Sequence, residues 1–491
     1  MDSKFEMVAK TFRGLEVVLA DELRALGADD VTPGNRMVSF RGDLAMLYKA
    51  NFCCRTALRI LKPFFKFKAT DPDQLYAKVK TFDWATLMDP DKTFAIDSVV
   101  YSEDFRNSQF VTYRVKDAIV DWFRDHDDQE RRPRVRLDGA DIMINVHISA
   151  DDVTLSLDSS GESLHKRGWR QAQNEAPISE VLAAGIILMS GWRGETPFVD
   201  PMCGSGTFVI EAAMIAAGIY PGVYRQHFAF ENWPDFDAEL LESIYNDDSA
   251  EREVTVPIIG ADISPRAIEI STSNAKNAAV ERYITLVKRP ISQWTEADVP
   301  TPAGVLITNP PYGKRITADD MNALYGTIGS TLKHAFKGYH AWIIGYEDVY
   351  FHEIGLAPSQ KVALNNGGLE CELREYVIFE GTKRDFRSAG GKIKEERPEK
   401  KKERRPAAAG GADRRRKFDG GRHDGGKRPF GKGDRADRTE RKPRTDEGAP
   451  QAQERRPLDL KRMGRTPSIP ADKEIIINRP TWRKRKKDQS E

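Results

Sequence analysis

Asp200-Pro201-Met202-Cys203-Gly204-Ser205-Gly206-Thr207 lies between a short apolar run, residues 197–200, and a helical pattern, residues 208–217. Gly204 and Gly206 permit backbone conformations and a close ligand approach that a Cβ prevents. The loop is not a P-loop, because it lacks the Gly-Lys-Ser/Thr ending that grips a triphosphate. It is not a dinucleotide turn either, since Val209 fills the third glycine position. An acid leading into a glycine loop suits a cofactor with an ammonium group and no phosphate. S-adenosylmethionine has that group, and its sulfonium is an electrophile.

On either side of the loop a helix is expected over 178–189, a strand over 257–262, a helix over 267–278 and a buried strand over 304–308. Strand and helix alternate, with polar residues at strand ends. That is the doubly wound α/β plan, whose ligands sit at the carboxyl edge of the sheet. Asp262 ends the second strand, where a carboxylate can accept both hydroxyls of a ribose. The third strand runs into Asn309-Pro310-Pro311-Tyr312. An exocyclic amine on a planar heterocycle is a poor nucleophile because its lone pair is delocalised. The Asn309 side-chain carbonyl and the Pro310 backbone carbonyl can both accept hydrogen bonds from such an NH2 group, favouring a more pyramidal nitrogen. Pro311 donates nothing and stiffens the loop, and Tyr312 offers a ring face for stacking. Guanine N2, adenine N6 and a glutamine amide all satisfy this motif equally.

Residues 1–165 read as a compact α+β module. Strands are expected near 5–9, 93–100 and 142–148, and helices over 14–26, 44–61 and 116–123. From residue 383 onward the chain is rich in Gly, Arg, Lys and Asp, and disorder is expected there. That stretch carries 36 Lys+Arg against 19 Asp+Glu, whereas residues 1–382 carry 40 against 56. A net charge of +1 therefore conceals an acidic body and a basic tail suited to phosphate contact. Cys53, Cys54, Cys203 and Cys371 form no zinc-type spacing, so no metal is expected and a reducing cytoplasmic setting fits best. No secretory leader is expected, and the apolar stretch 181–192 is too short to span a bilayer and reads as a buried helix, so no membrane partner is expected.

These residues resemble class I S-adenosylmethionine-dependent RNA methyltransferases with an N-terminal THUMP domain, in particular the bacterial type that forms N2-methylguanosine in 23S rRNA. The likeness runs through most of residues 1–382 and is densest in 158–168, Ala176-Pro177, 200–213 and 309–313, with 105–119 similar to the THUMP region. The fold class implied is α/β: a Rossmann-like methyltransferase domain (166–382), preceded by an α+β THUMP-containing module (1–165) and followed by a disordered basic tail (383–491). The resemblance implies Asp200, Gly204, Gly206, Asp262 and Ile263 at the cofactor and Asn309, Pro310 and Tyr312 at the target amine. Transfer would be direct, without metal or covalent enzyme intermediate. The implied partner is RNA, either 23S rRNA or an assembling large ribosomal subunit, and a monomer suffices. Arg106, Arg114, Lys116, Lys314 and Arg315 are the expected RNA contacts, and His165, Lys166, Arg167 and Arg170 lie at the domain junction as RNA contacts or a solvated linker. Where the family has an acid near the adenine amine, Pro290 stands here within Lys288-Arg289-Pro290-Ile291-Ser292, which leaves that contact to the backbone. Transfer RNA, DNA adenine, a protein glutamine, and a non-enzymatic ribosome-assembly role are the alternatives.

Overall fold

The computed structural model describes residues 4–171, 177–311, 317–346, 348–366, 368–379 and 381. The tail 383–491 and the candidates Tyr312, Lys314 and Arg315 lie outside the described residues.

The first eight strands form a single sheet. They are β1 (Phe5–Lys10), β2 (Asp29–Pro33), β3 (Met37–Gly42), β4 (Arg59–Lys68), β5 (Thr93–Tyr101), β6 (Arg134–Val135), β7 (Ile142–Ser149) and β8 (Asp152–Asp158), in the order β2-β3-β1-β4-β8-β7-β5-β6. Helices α1 (Glu16–Ala25), α2 (Leu44–Cys53), α3 (Pro72–Val79) and α4 (Ser108–His126) accompany it. Side-chain caps set where three of them begin. Asp43 accepts from the Met46 N–H, Asp71 from the N–H groups of Asp73 and Gln74 with Pro72 at the first helical position, and Asn107 from the Phe110 N–H.

Residues 44–61, expected as one helix, divide into α2 and the start of β4. Cys54 is extended, and the Glu22 carboxylate takes the N–H groups of Arg55 (2.8 Å) and Thr56 (3.0 Å), which diverts them from helical partners. Ile60 and Leu61 then enter the sheet fully or almost fully buried. Apolar spacing alone does not separate a long helix from a helix followed by a buried strand.

The second sheet consists of β9 (Phe198–Asp200), β10 (Ile258–Asp262), β11 (Ile284–Lys288), β12 (Val305–Thr308), β13 (His340–Gly345), β14 (Gln360–Asn366) and β15 (Leu369–Val377). Its order is β11-β10-β9-β12-β13-β15-β14. The first five in that order are parallel, and β15 runs antiparallel to both β13 and β14. With the period-2 alternation of a strand, successive residues face opposite layers. Phe198, Val305, Ile307, Trp342 and Ile344 pack in the layer of α5 (Glu180–Met189), α6 (Thr207–Ala216) and, C-terminal to α7 (Ala238–Tyr245), α8 (Pro265–Asn277). Val199, Leu306, Ala341 and Ile343 pack on the other side with Met321, Tyr325, Ile328 and Leu332 of α9 (Ala318–Ala335). Parallel strands covered on both faces must be apolar on both, which is why β9 and β12 read as continuous hydrophobic runs.

Residues 220–245 leave the second sheet and cover the first module. Phe228, Phe230, Trp233, Leu241 and Ile244 join the N-terminal core. Tyr48 stacks on Phe230 with ring centroids 4.2 Å apart, and Phe52 meets Tyr245 edge-on at 4.7 Å. Among the described residues no helix is long and apolar enough to cross a membrane.

Candidate active site

The parallel registers bring the carboxyl ends of β9, β10 and β12 to one edge, with Gly260 beside Asp200 and Leu306 beside Val199. Asp200, Asp262 and Asn309 therefore converge, although they are far apart in sequence. Asp200 is 1% exposed. Its Oδ1 accepts from the Met202 N–H (3.1 Å) and the Thr308 hydroxyl (2.8 Å), leaving Oδ2 with no donor among the described residues. Burial pushes this carboxyl up to about 7. The two hydrogen bonds pull it down, and the nearby Asp262 carboxylate acts in the same direction as burial.

Asp262 holds the loop from the neighbouring strand. Its Oδ2 accepts from the Gly204 N–H (3.0 Å) and its Oδ1 from the Ser264 N–H (2.8 Å). Gly206 has φ +84°, and a Cβ there would sit 3.1 Å from the Ser271 Cβ. Only glycine takes that conformation without strain while α8 stays this close. Ser271 donates to the Gly204 carbonyl (2.7 Å) and the buried Asn274 amide to the Ser205 carbonyl (3.1 Å), so the loop is fixed from both sides. Cys203 is 6% exposed, its thiol raised well above the ordinary range by burial, and it packs against Ser271. It is a packing residue and not a nucleophile.

Asn309 follows β12, next to buried Pro310, and its Oδ1 is buried with no hydrogen-bond partner among the described residues. A buried carbonyl oxygen left unpaired costs about 1–3 kcal/mol, so it is a natural receptor for a donor supplied from outside. Ile263 is 68% exposed at the same edge. After β11, the Arg289 N–H donates to the Asp262 carbonyl (3.0 Å), and its side chain turns away to Asp298 (2.8 Å) and the Trp294 ring. Pro290 caps a short 3-10 turn, so no carboxylate stands at that position.

Of the expected RNA contacts on the first module, Arg114 and Lys116 lie on α4 and Arg106 just before it. Arg114 on α4 binds Asp73 (2.5 Å) and lies over the Tyr76 ring. Lys116 binds Asp117 (2.5 Å), and exposed Arg106 donates to the Glu103 carbonyl. At the domain junction Arg167 and Arg170 turn inward. Arg167 is 2% exposed, donates to the Leu164 carbonyl (2.9 Å) and faces Glu211 (3.4 Å). Arg170 binds Glu180 and two hydroxyls of the glycine loop. Sequence reasoning missed both roles, yet one signal was available. Glu211 is the sole charged residue in the apolar helix α6, and a buried carboxyl needs a compensating partner, of which a buried cation is the common one.

The site fits the cofactor its sequence suggests. A carboxylate with a vacant acceptor, a second carboxylate one strand away and a glycine loop free of phosphate-gripping lysine match an ammonium, a ribose and the absence of phosphate. Fold and site together define a class I S-adenosylmethionine-dependent methyltransferase. Comparison with known proteins narrows this. Residues 167–375 match the RMKL-like methyltransferase domain, residues 6–61 the RlmL ferredoxin-like domain and residues 69–158 the THUMP domain. A Synechocystis protein carrying a provisional RNA methyltransferase name is 38% identical over 374 residues, covering 76% of this chain and 96% of its own. The ribosomal RNA large subunit methyltransferase K/L of Syntrophotalea carbinolica is 38% identical over 391 residues, covering 77% of this chain but 54% of that longer protein. The solved structure of SMU.472, described provisionally as a methyltransferase and complexed with S-adenosylhomocysteine, superposes with a TM-score of 0.69 at 32% identity. That alignment covers 78% of this chain and 100% of the other. The chain belongs to the family of RMKL-like methyltransferases that carry an RlmL-type ferredoxin-like domain and a THUMP domain.

Proposed function

We propose that this chain methylates RNA, and specifically the exocyclic N2 amine of a guanine in 23S rRNA. The observation that carries an amine acceptor is the buried, unpartnered Oδ1 of Asn309 at the end of β12. Asn309 Oδ1 and the Pro310 carbonyl accept hydrogen bonds from the target NH2, and Tyr312 stacks on its ring. Asp200 Oδ2 accepts from the ammonium of S-adenosylmethionine, Asp262 from its ribose hydroxyls, and Ile263 borders the adenine. When bound, that cofactor supplies an electrophilic methyl group. The chain contributes alignment and a dry, polar surround.

RNA as substrate is supported by the THUMP domain and by the large-subunit rRNA relative. Residues 1–165 would capture RNA and present an unpaired or flipped nucleotide to the domain spanning 166–382. Residues 383–491 would add phosphate contacts, as would Arg106, Arg114, Lys116, Lys314 and Arg315. Mass spectrometry of rRNA nucleosides from a deletion strain tests this. N2-methylguanosine should fall in 23S rRNA and return with the wild-type gene but not with Asn309→Ala. Unchanged N2-methylguanosine throughout the rRNA would sink the assignment.

A further inference from the structure

The segment that joins the two modules ends in a side chain with four partners. Arg170 Nε donates to Glu180 Oε1 at 2.6 Å, Nη1 to Ser205 Oγ at 2.9 Å, and Nη2 to Thr207 Oγ1 at 2.9 Å and the Ile178 carbonyl at 3.4 Å. Its side chain is 13% exposed, that of Glu180 is 5%, and its guanidinium lies over the Trp169 ring with 5.0 Å to the centroid. Ser205 and Thr207 flank Gly206, which like Gly204 has a positive φ. The next residue, Gln171, reaches the same assembly, its N–H donating to Asn274 Oδ1 (3.4 Å) while the Asn274 amide holds the Ser205 carbonyl.

We infer that Arg170 is a positioning residue for the cofactor loop: it fixes the hydroxyls of Ser205 and Thr207 so that the glycine backbone between them keeps its ligand-binding shape. A planar guanidinium suits this task because it donates in several fixed directions at once, which an ammonium does not do. Glu180 neutralises the charge and sets the plane of the fork. The clamp links the loop to α5 at one end and to the inter-module segment at the other. It acts on the cofactor loop through Ser205 and Thr207, so the inference does not depend on which base is methylated.

The test uses the full chain and reads S-adenosylhomocysteine binding by calorimetry without RNA, alongside thermal unfolding. Arg170→Ala should weaken that binding about tenfold or more, raise KM for S-adenosylmethionine similarly, and leave kcat at saturating cofactor within about threefold. Arg170→Lys should fall between, and added guanidinium ion at low millimolar concentration should restore part of the Ala variant's affinity. Wild-type affinity in folded Arg170→Ala overturns the inference, as does a loss confined to kcat. If Arg170→Ala does not fold, the Ser205→Ala, Thr207→Val double variant decides, because it removes the two loop receptors and keeps the Arg170–Glu180 pair. Unchanged affinity there overturns the inference equally.

Discussion

Cofactor affinity should rise with pH through the range in which Asp200 ionises. Burial holds its carboxyl up at about 7, so the ligand-free protein keeps it largely neutral in mild acid. The proposed contact with an ammonium needs the carboxylate. A group with that pKa is about 3% ionised at pH 5.5 and about half ionised at pH 7, so apparent Kd for S-adenosylhomocysteine should fall about fifteenfold across the interval. The ligand's own α-amine, that of a free amino acid beside a carboxylate, ionises above this interval and stays protonated throughout. Titration at pH 6 in buffers of different ionisation enthalpy should show about 0.9 proton released per ligand bound. Asp200→Asn should bind more weakly and lose this limb. The sign for stability is opposite. A carboxyl whose folded pKa lies above its unfolded value stabilises most below about pH 4 and loses that contribution as pH rises through about 7. The unfolding temperature of the ligand-free wild type, relative to Asp200→Asn, should therefore decline over that window. A flat wild-type affinity from pH 5.5 to 7, or the same slope in Asp200→Asn, would refute the reasoning.

Two further outcomes are expected. Asn309→Ala should lower kcat by about 10²–10³ while calorimetric binding of S-adenosylhomocysteine stays near wild type, since in the proposed arrangement the lost acceptor serves the amine and not the cofactor. Arg167→Ala should destabilise by up to about 3–5 kcal/mol in chemical denaturation, because Glu211 loses its paired guanidinium and keeps only the nearby Arg55 as a buried cation. Burial already raises the Glu211 pKa, so protonation should relieve the variant and its deficit should be smaller at pH 5 than at pH 8. Glu211→Gln in the same background should recover much of the loss, and an unaltered deficit at both pH values would count against this account.

The candidate site was legible because its residues sit at strand ends that local pattern marks well. Asp200, Asp262 and Asn309 each close an apolar run, and the doubly wound plan brings such ends to one edge without any further information. What was illegible depends on partners distant in sequence. Residues 44–61 looked like one helix because nothing local shows that Glu22 captures the N–H groups of Arg55 and Thr56. Arg167 and Arg170 looked like surface cations because, apart from Glu180 ten residues after Arg170, the groups that draw them inward, Glu211 and the hydroxyls of Ser205 and Thr207, lie more than thirty residues onward. The aromatic residues of 220–245 gave no sign that they would cover the first module, since a buried ring reads alike whichever core receives it.

The order of the eight-stranded sheet also bears on how this protein can be made. β4 pairs with β1 on one side and with β8 on the other, and Leu61 meets Asp158 across the second pairing. A nascent chain that has delivered the ferredoxin-like segment therefore presents β4 as a bare edge until almost a hundred more residues have emerged. Long-range pairing of this kind is slow, and an unpaired strand edge invites intermolecular pairing. A fragment ending near residue 68, with β4 complete, should accordingly aggregate, whereas one that includes β8 completes the sheet. The boundary between the two N-terminal segments marks a stage in synthesis, not a place where the protein can be cut.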